Sequence, residues 1–190
     1  MTGSFIVVYD ACVLYPAPLR DLLMHLALTD LFMAKWTNKI HDEWIKNVLK
    51  NRPDLTWKQL ERTRNLMNKN ALDCLIDDYE HLIFGLNLPD PNDRHVLAAA
   101  IHTTASTIVT FNLKDYPAIV LAKYGIEALH PDDFILLLAE IDLSAVLMAV
   151  KRVRGSLKNP TKTTSEYLEI LEKQSLPQIV SLLREYEELL

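Results

Sequence analysis

Near the start of the sequence, a gapless run of five apolar residues, Phe5 to Tyr9, stops abruptly at Asp10. A run without polar gaps is typical of a strand covered on both faces in a parallel sheet. Residues 107–111 show the same pattern, and residues 126–129 form a shorter third candidate. Because helical patterns separate these strands, the sequence predicts an α/β sandwich around a mostly parallel central sheet.

The helical patterns are clearest in the first half of the chain. Apolar residues recur at helical spacing after Pro18 and over residues 38–51, and Thr56 with Gln59 forms a capping box for a third helix. We further expect helices over residues 71–84, from about Asn92, and over residues 117–124.

The last third differs because no strand pattern follows residue 129. Helical patterns run over residues 132–139, 144–153 and 163–190, with a break at Pro177. We therefore expect a main domain over residues 1–150, a basic linker over 151–162 and a helical tail over 163–190. The tail carries an apolar stripe that must be covered, and we expect a protein partner to cover it, with packing inside the chain as the alternative. The stripe consists of Ile179, Leu182, Leu183, Tyr186 and Leu190.

Composition excludes several classes of protein. A hydrophobic fraction of 49% indicates a folded chain, and two cysteines cannot build a disulfide framework. The net charge of −5 gives no general attraction to nucleic acid, so such a partner needs a local basic patch. The most apolar stretch, residues 134–150, is interrupted by Glu140 and Asp142, so we expect no membrane segment and a cytoplasmic location.

Candidate chemistry begins at the ends of the predicted strands. Asp10 directly follows the first strand, while Asn112 and Asp115 directly follow the one over residues 107–111. Ligands of parallel sheets bind beyond the carboxyl ends of the strands, so these side chains are expected at one edge. The alternative for each is a turn residue.

Three more carboxylates fall in predicted helices or turns. Glu43 lies on the helix over residues 38–51, where a solvated face is the alternative. Asp93 lies in the first turn of a helix, where a carboxylate also favours the helix dipole. Asp90 is a weaker candidate, because turn formation before Pro91 explains it equally well.

Taken together, these residues resemble a known family. Asp10 after a strand, a helical Glu43, Asp93 in Asp-Arg-His-Val-Leu-Ala-Ala-Ala, and Asp115 in Thr-Phe-Asn-Leu-Lys-Asp resemble the PIN-domain nucleases. More narrowly, they resemble the VapC-type toxins of bacterial and archaeal toxin–antitoxin systems. The likeness covers about residues 5–130.

The resemblance implies a PIN-like three-layer sandwich and a Mg²⁺- or Mn²⁺-dependent endoribonuclease held in check by an antitoxin protein. Its acidic quartet would fall on Asp10, Glu43, Asp93 and Asp115. Asn112 stands where some relatives carry an acidic residue, so it competes with Asp115 as the fourth ligand. The helical tail is then an extension beyond the minimal domain, and a homodimer is a further alternative.

The residues support this chemistry independently. Several carboxylates in one crevice repel one another unless a divalent cation neutralises them, and oxygen ligands suit Mg²⁺ or Mn²⁺ better than Zn²⁺. Such a cation activates water for attack on a phosphodiester. RNA would need a basic rim, for which Arg94 and Lys114 are the candidates nearest the acids. Further lysines line the helix region, namely Lys35, Lys39, Lys46 and Lys50.

Two alternatives remain open from the sequence. A Mg²⁺-dependent phosphatase also uses an aspartate after a strand, but no second aspartate stands two residues after Asp10. The other is a catalytically silent PIN-like binding module whose acidic crevice is only structural.

Overall fold

A computed structural model describes residues 5–190 of the protein. Within these residues, five strands form one sheet in the order β3-β2-β1-β4-β5, and every pairing is parallel. The strands are β1 (Phe5–Tyr9), β2 (Phe32–Thr37), β3 (Leu75–Ile76), β4 (Thr107–Val109) and β5 (Glu127–Leu129). Helices flank the sheet, which confirms the predicted α/β sandwich.

The centre of the sheet positions the strand ends that matter below. β1 pairs with β4 so that Tyr9 lies beside Val109, and the two strands therefore end at the same level. Val7, Val8 and Tyr9 are buried completely, as the gapless apolar run predicted.

The described residues divide into two compact units, of which the first comprises residues 5–15 and 32–130. It holds the sheet and helices α1 (Ala11–Leu14), α3 (Asn38–Asn51), α4 (Trp57–Asn70), α5 (Arg94–His102) and α6 (Ala118–Leu121). Short 3₁₀ turns lie at Glu80–Gly85, Pro91–Asp93, Leu113–Asp115 and Ala122–Tyr124. The capping box of Thr56 and Gln59 is present at the start of α4.

The second unit comprises residues 16–31 and 131–190. It contains α2 (Ala17–Ala27), α7 (Pro131–Ser156), α8 (Thr164–Glu172) and α9 (Pro177–Arg184), followed by a 3₁₀ turn at Glu187–Leu189. α7 is interrupted at Asp142, whose backbone is not helical and whose side chain accepts a hydrogen bond from the Ala145 amide at 3.0 Å. This break separates the two helices expected over residues 132–139 and 144–153.

Three expectations about local structure are wrong. β2 was not predicted, because Lys35 interrupts its apolar run. The Lys35 side chain is nevertheless buried, with Nζ 2.9 Å from Oδ2 of Asp73. β3 was not predicted either, because it has only two residues. The helix expected over residues 71–84 is replaced by β3 and the 3₁₀ turn Glu80–Gly85.

The apolar stripe of the tail is largely covered within the second unit, contrary to the partner-facing role expected for it. Ile179 and Leu183 are completely buried and Leu190 is 5% exposed, while α9 packs against α7 and α8. Intramolecular packing, the alternative, therefore accounts for most of the stripe.

The boundaries expected at residues 150 and 162 both fall inside this second unit, and residues 151–156 belong to α7. The division of the chain at those two points stays a prediction. Among the described residues, no helix combines the length and apolar character needed to cross a membrane.

Candidate active site

Asp10 is held rigidly at the end of β1. One carboxylate oxygen accepts a hydrogen bond from the Ala11 amide at 2.6 Å, and the other accepts one from Thr110 Oγ1 at 2.7 Å. Thr110 follows β4, so this hydrogen bond joins the ends of the two central strands. Asp10 is only 5% exposed, and its side chain is therefore fixed where the sheet ends.

Cys12 packs beside this carboxylate and plays no nucleophilic part. Its Sγ donates to Asp10 Oδ2 at 3.2 Å and accepts from the Phe111 amide at 3.3 Å. Burial, followed by the charge of Asp10, raises the pKa of the thiol to about 12. A thiol with so high a pKa is protonated at neutral pH, so the geometry assigns Cys12 to packing beside Asp10.

Glu43 is oriented by a residue of another helix. Nε2 of His95, on α5, lies 2.9 Å from Oε1 of Glu43, on α3. The His95 side chain is 1% exposed and that of Glu43 is 34% exposed, so one end of the pair is anchored in the core and the other reaches the surface. The contact ties together two helices that carry predicted site residues.

Asp93 shows that the predicted carboxylates share one neighbourhood. Partial burial, followed by the charges of Asp10, Asp90, Asp115 and Glu43 in that order, raises its pKa to about 7. The other four acidic residues singled out from the sequence thus all lie close enough to act electrostatically on Asp93. A cluster of this kind attracts a cation.

The remaining candidates lie around this cluster. Asp90 accepts a hydrogen bond from the Asn92 amide at 2.8 Å, which is the turn role that the sequence allowed for it. Nε of Arg94 donates to the Pro91 carbonyl at 2.9 Å. Asn112 and Lys114 are exposed, whereas Asp115 is half-buried. Of the two candidates for the fourth ligand, Asp115 is therefore the more buried, and its charge acts on Asp93.

The donor set fits a hard divalent cation by its chemistry. Oxygen ligands dominate, His95 is engaged with Glu43, and the Cys12 thiol is protonated. Within residues 5–190, no three His, Cys, Asp or Glu side chains are grouped tightly enough to hold a metal ion as they stand. Mg²⁺ characteristically takes one or two carboxylates and completes its shell with water and substrate phosphates, which such a loose cluster allows.

Three contributors to the cluster escaped the sequence analysis. His95, Thr110 and Tyr116 are buried, and the first two hold Glu43 and Asp10. Burial and then the charges of Asp10 and Asp93 raise the pKa of Tyr116, whose hydroxyl makes no hydrogen bond to any described residue. A signal existed for His95: it begins the wholly buried run His95 to Ala100, where a polar side chain needs a partner.

The fold and the site together define a PIN domain. Residues 6–114 match the family model of the PIN domain, which is more than half of the chain, and the chain belongs to this family. Residues 131–185 match a second model, described as the VapC50 C-terminal domain, and these residues all lie in the second unit.

A curated relative shares the name VapC50 with the second of these family models. Over 103 residues the chain is 38% identical to "Putative ribonuclease VapC50" of Mycobacterium tuberculosis (strain ATCC 25618 / H37Rv). The aligned part is 54% of this chain and 60% of that protein, so the chain spans less than two thirds of the relative's length. No solved structure matches the chain.

Proposed function

We propose that the protein is a divalent-metal-dependent endoribonuclease of the VapC type and the toxin of a toxin–antitoxin pair. The observation that carries this proposal is the joining of four chain segments at one sheet edge. The Thr110–Asp10 hydrogen bond of 2.7 Å links the ends of β1 and β4, and the His95–Glu43 contact of 2.9 Å links α5 to α3. Asp93 lies close enough to these segments for the charges of Asp10 and Glu43 to raise its pKa.

Family membership and the named relative give further support. The relative's printed name is that of a ribonuclease, and it is 38% identical to this chain over 103 residues. The second unit contains the segment that matches the VapC50 C-terminal model, so both parts of the chain point to the same type of protein.

Each residue then has a role in cleaving the RNA backbone. Asp10, Glu43, Asp93 and Asp115 would hold Mg²⁺ or Mn²⁺, and Asn112 would orient a water molecule or complete the shell. When bound, such an ion lowers the pKa of water and stabilises charge on a phosphodiester undergoing in-line displacement. Arg94 and Lys114 would contact the phosphates, while His95 and Thr110 keep two of the carboxylates in place.

The test is RNA cleavage by the purified full chain with Mg²⁺, with Mn²⁺ and with EDTA. We expect cleavage in the presence of either ion and none in EDTA. Asp10→Asn should abolish cleavage while preserving the circular dichroism spectrum, because the amide keeps an acceptor for Thr110 but loses the charge. Asp54→Asn, which changes an exposed carboxylate of the same unit, is the matched control and should keep full activity.

The same experiment distinguishes the two alternatives. Release of phosphate from a phosphomonoester, with intact RNA, would favour the phosphatase. Absence of both activities together with metal-independent RNA or protein binding would favour the silent module. Sequencing the 5′ ends of cellular RNA after induced expression would identify the target of an active nuclease.

The antitoxin is tested separately, because cleavage does not depend on it. The tagged chain purified from its own cells should retain a protein that inhibits the cleavage measured above. Light scattering of the isolated chain reports whether a homodimer forms. A fully active chain with no inhibitory partner would leave the nuclease proposal intact and remove the toxin–antitoxin pairing.

A further inference from the structure

Three lysines of α3 lie on the same helical face as Glu43. Lys39, Lys46 and Lys50 stand four residues before, three after and seven after Glu43, which is the spacing of one stripe along an α-helix. All three are exposed. At a rise of 1.5 Å per residue the stripe extends roughly 16 Å along the helix axis, with the carboxylate between its ends.

The orientation of this stripe is fixed by the packing of α3. The opposite face carries buried side chains, so the helix cannot rotate without exposing its core contacts. At its Glu43 position the helix is tied to His95, and at its end Nδ2 of Asn51 donates to the Tyr15 hydroxyl at 3.2 Å. The buried residues of that face are Ile40, His41, Trp44, Ile45 and Val48.

None of the three lysines of the stripe forms an ion pair with a residue in the described range 5–190. Lys39, Lys46 and Lys50 take part in none of the ion pairs formed there, whereas Lys35 is paired with Asp73 and buried. Past Glu43, residues 44–51 of α3 contain two lysines and no acidic residue. In a chain of net charge −5, the part of α3 that follows Glu43 therefore carries only positive side-chain charge.

We propose that Lys39, Lys46 and Lys50, hereafter the α3 track, bind the backbone of single-stranded RNA on both sides of the bond that is cleaved. This inference rests on the proposed ribonuclease function and adds the path of the substrate. A phosphodiester held at the carboxylate cluster is linked covalently to neighbouring phosphates, and these lysines, which form no ion pair with a described residue, stand on the same helical face as Glu43 of that cluster. Lys35, expected to share this rim, is excluded by its burial.

The experiment measures the affinity of a fluorescein-labelled single-stranded RNA oligonucleotide by anisotropy over a series of KCl concentrations. The full chain carries Asp10→Asn, so that the RNA stays intact, and Mg²⁺ is present throughout. The test variant adds Lys46→Gln and Lys50→Gln. The matched control adds Lys58→Gln and Lys69→Gln on α4, which makes the same change in net charge at two exposed positions of the same unit.

We expect the track variant to bind RNA about tenfold more weakly at low salt, and the slope of log affinity against log salt to decrease by about 1.4, since each phosphate contact to a single strand contributes about 0.7. The α4 control should keep the slope of the parent chain. The circular dichroism spectra should coincide, because all four lysines are exposed.

Three results would overturn the track. An unchanged salt slope in the track variant would show that Lys46 and Lys50 contact no phosphate. Equal losses of RNA affinity in the track variant and the α4 control would show a general effect of net charge. Unchanged RNA affinity with lost affinity for a poly-glutamate peptide would assign the strip to an acidic protein. The nuclease proposal is judged separately by the cleavage assay. If the parent chain cleaves RNA but the track substitutions do not change RNA binding, the nuclease proposal stands and the α3 track is wrong.

Discussion

Nε2 of His95 lies 2.9 Å from Oε1 of Glu43, and this contact joins a fully buried imidazole to a half-exposed carboxylate on another helix. Because His95 is anchored in the core of the domain, it limits the positions that the Glu43 side chain can take. A residue that holds a metal ligand in this way influences metal binding without touching the ion itself.

The first prediction follows from this contact. His95→Leu should weaken Mn²⁺ binding and lower the cleavage rate about 10- to 100-fold, because Glu43 loses the partner that orients it. His95→Gln can place an amide donor near the position of Nε2 and should recover most of both. Calorimetric titration with Mn²⁺ provides a readout independent of activity, and thermal unfolding controls for packing. Unchanged Mn²⁺ affinity in the leucine variant would contradict a positioning role.

The second prediction concerns Asp93 and pH. Its pKa of about 7 in the folded chain exceeds the ordinary value of 3.8, so the folded state binds this proton more tightly than the unfolded state. The associated stability is complete below the unfolded pKa and is lost as the pH rises through about 7. We therefore expect the melting temperature of the metal-free chain to fall across this window, and that of Asp93→Asn to fall less.

The measurement is thermal unfolding in EDTA over a pH series, with the two chains compared at each pH. Addition of Mg²⁺ above pH 7 should stabilise the parent chain more than the Asp93→Asn variant, since a cation relieves the repulsion among the carboxylates. Parallel pH profiles for both chains would show that the pKa of Asp93 is not raised in the folded chain.

The third prediction concerns the fourth ligand. Asp115→Ala should cost more cleavage activity than Asn112→Ala, because a carboxylate gives charge to a hard cation and an amide gives only a dipole. The structure adds that Asp115 is half-buried and acts on Asp93, whereas Asn112 is exposed. Single-turnover assays of both variants decide the order, and a larger loss in Asn112→Ala would move the role to that residue.

The sequence predicted the parts of the fold that depend on strong local patterns. β1 is visible because its apolar run has no gap, and Asp10 follows because the run ends there. β2 was missed because Lys35 looks like a surface residue, and only its distant partner Asp73 lets the amino group be buried. A contact between residues 38 positions apart leaves no trace in local periodicity.

The candidate site likewise contains residues that local sequence could indicate and residues that it could not. Carboxylates at strand ends and helix starts could be singled out by position, but the residues that hold them could not. Thr110 reaches Asp10 across 100 positions of sequence, and His95 reaches Glu43 from a separate helix. Both are ordinary core side chains until the pairing of the strands and helices is known.

The final prediction concerns the second unit, where a carboxylate of one helix caps another. Asp132, in the first turn of α7, is 2% exposed and accepts hydrogen bonds from the amides of Gln178 at 2.9 Å and Ile179 at 3.0 Å. α9 needs this cap because Leu176, the residue before it, provides no side-chain acceptor. Asp132→Ala leaves two backbone amides at the start of α9 without this acceptor, of which that of Ile179 is buried, and should lower the free energy of unfolding by about 1–3 kcal/mol.

The neighbouring Asp133 makes a matched control for this substitution. It is exposed and accepts a hydrogen bond only from the Gln178 side chain, at 2.7 Å, among the contacts that the structure gives it, so Asp133→Ala should cost less than about 0.5 kcal/mol. Urea unfolding of the two variants and the parent chain measures the difference. Because the cap lies in the second unit and the carboxylate cluster in the first, Asp132→Ala should lose stability while its cleavage rate under native conditions stays that of the parent. Equal stabilities for the two variants would mean that α9 keeps its place through apolar packing alone.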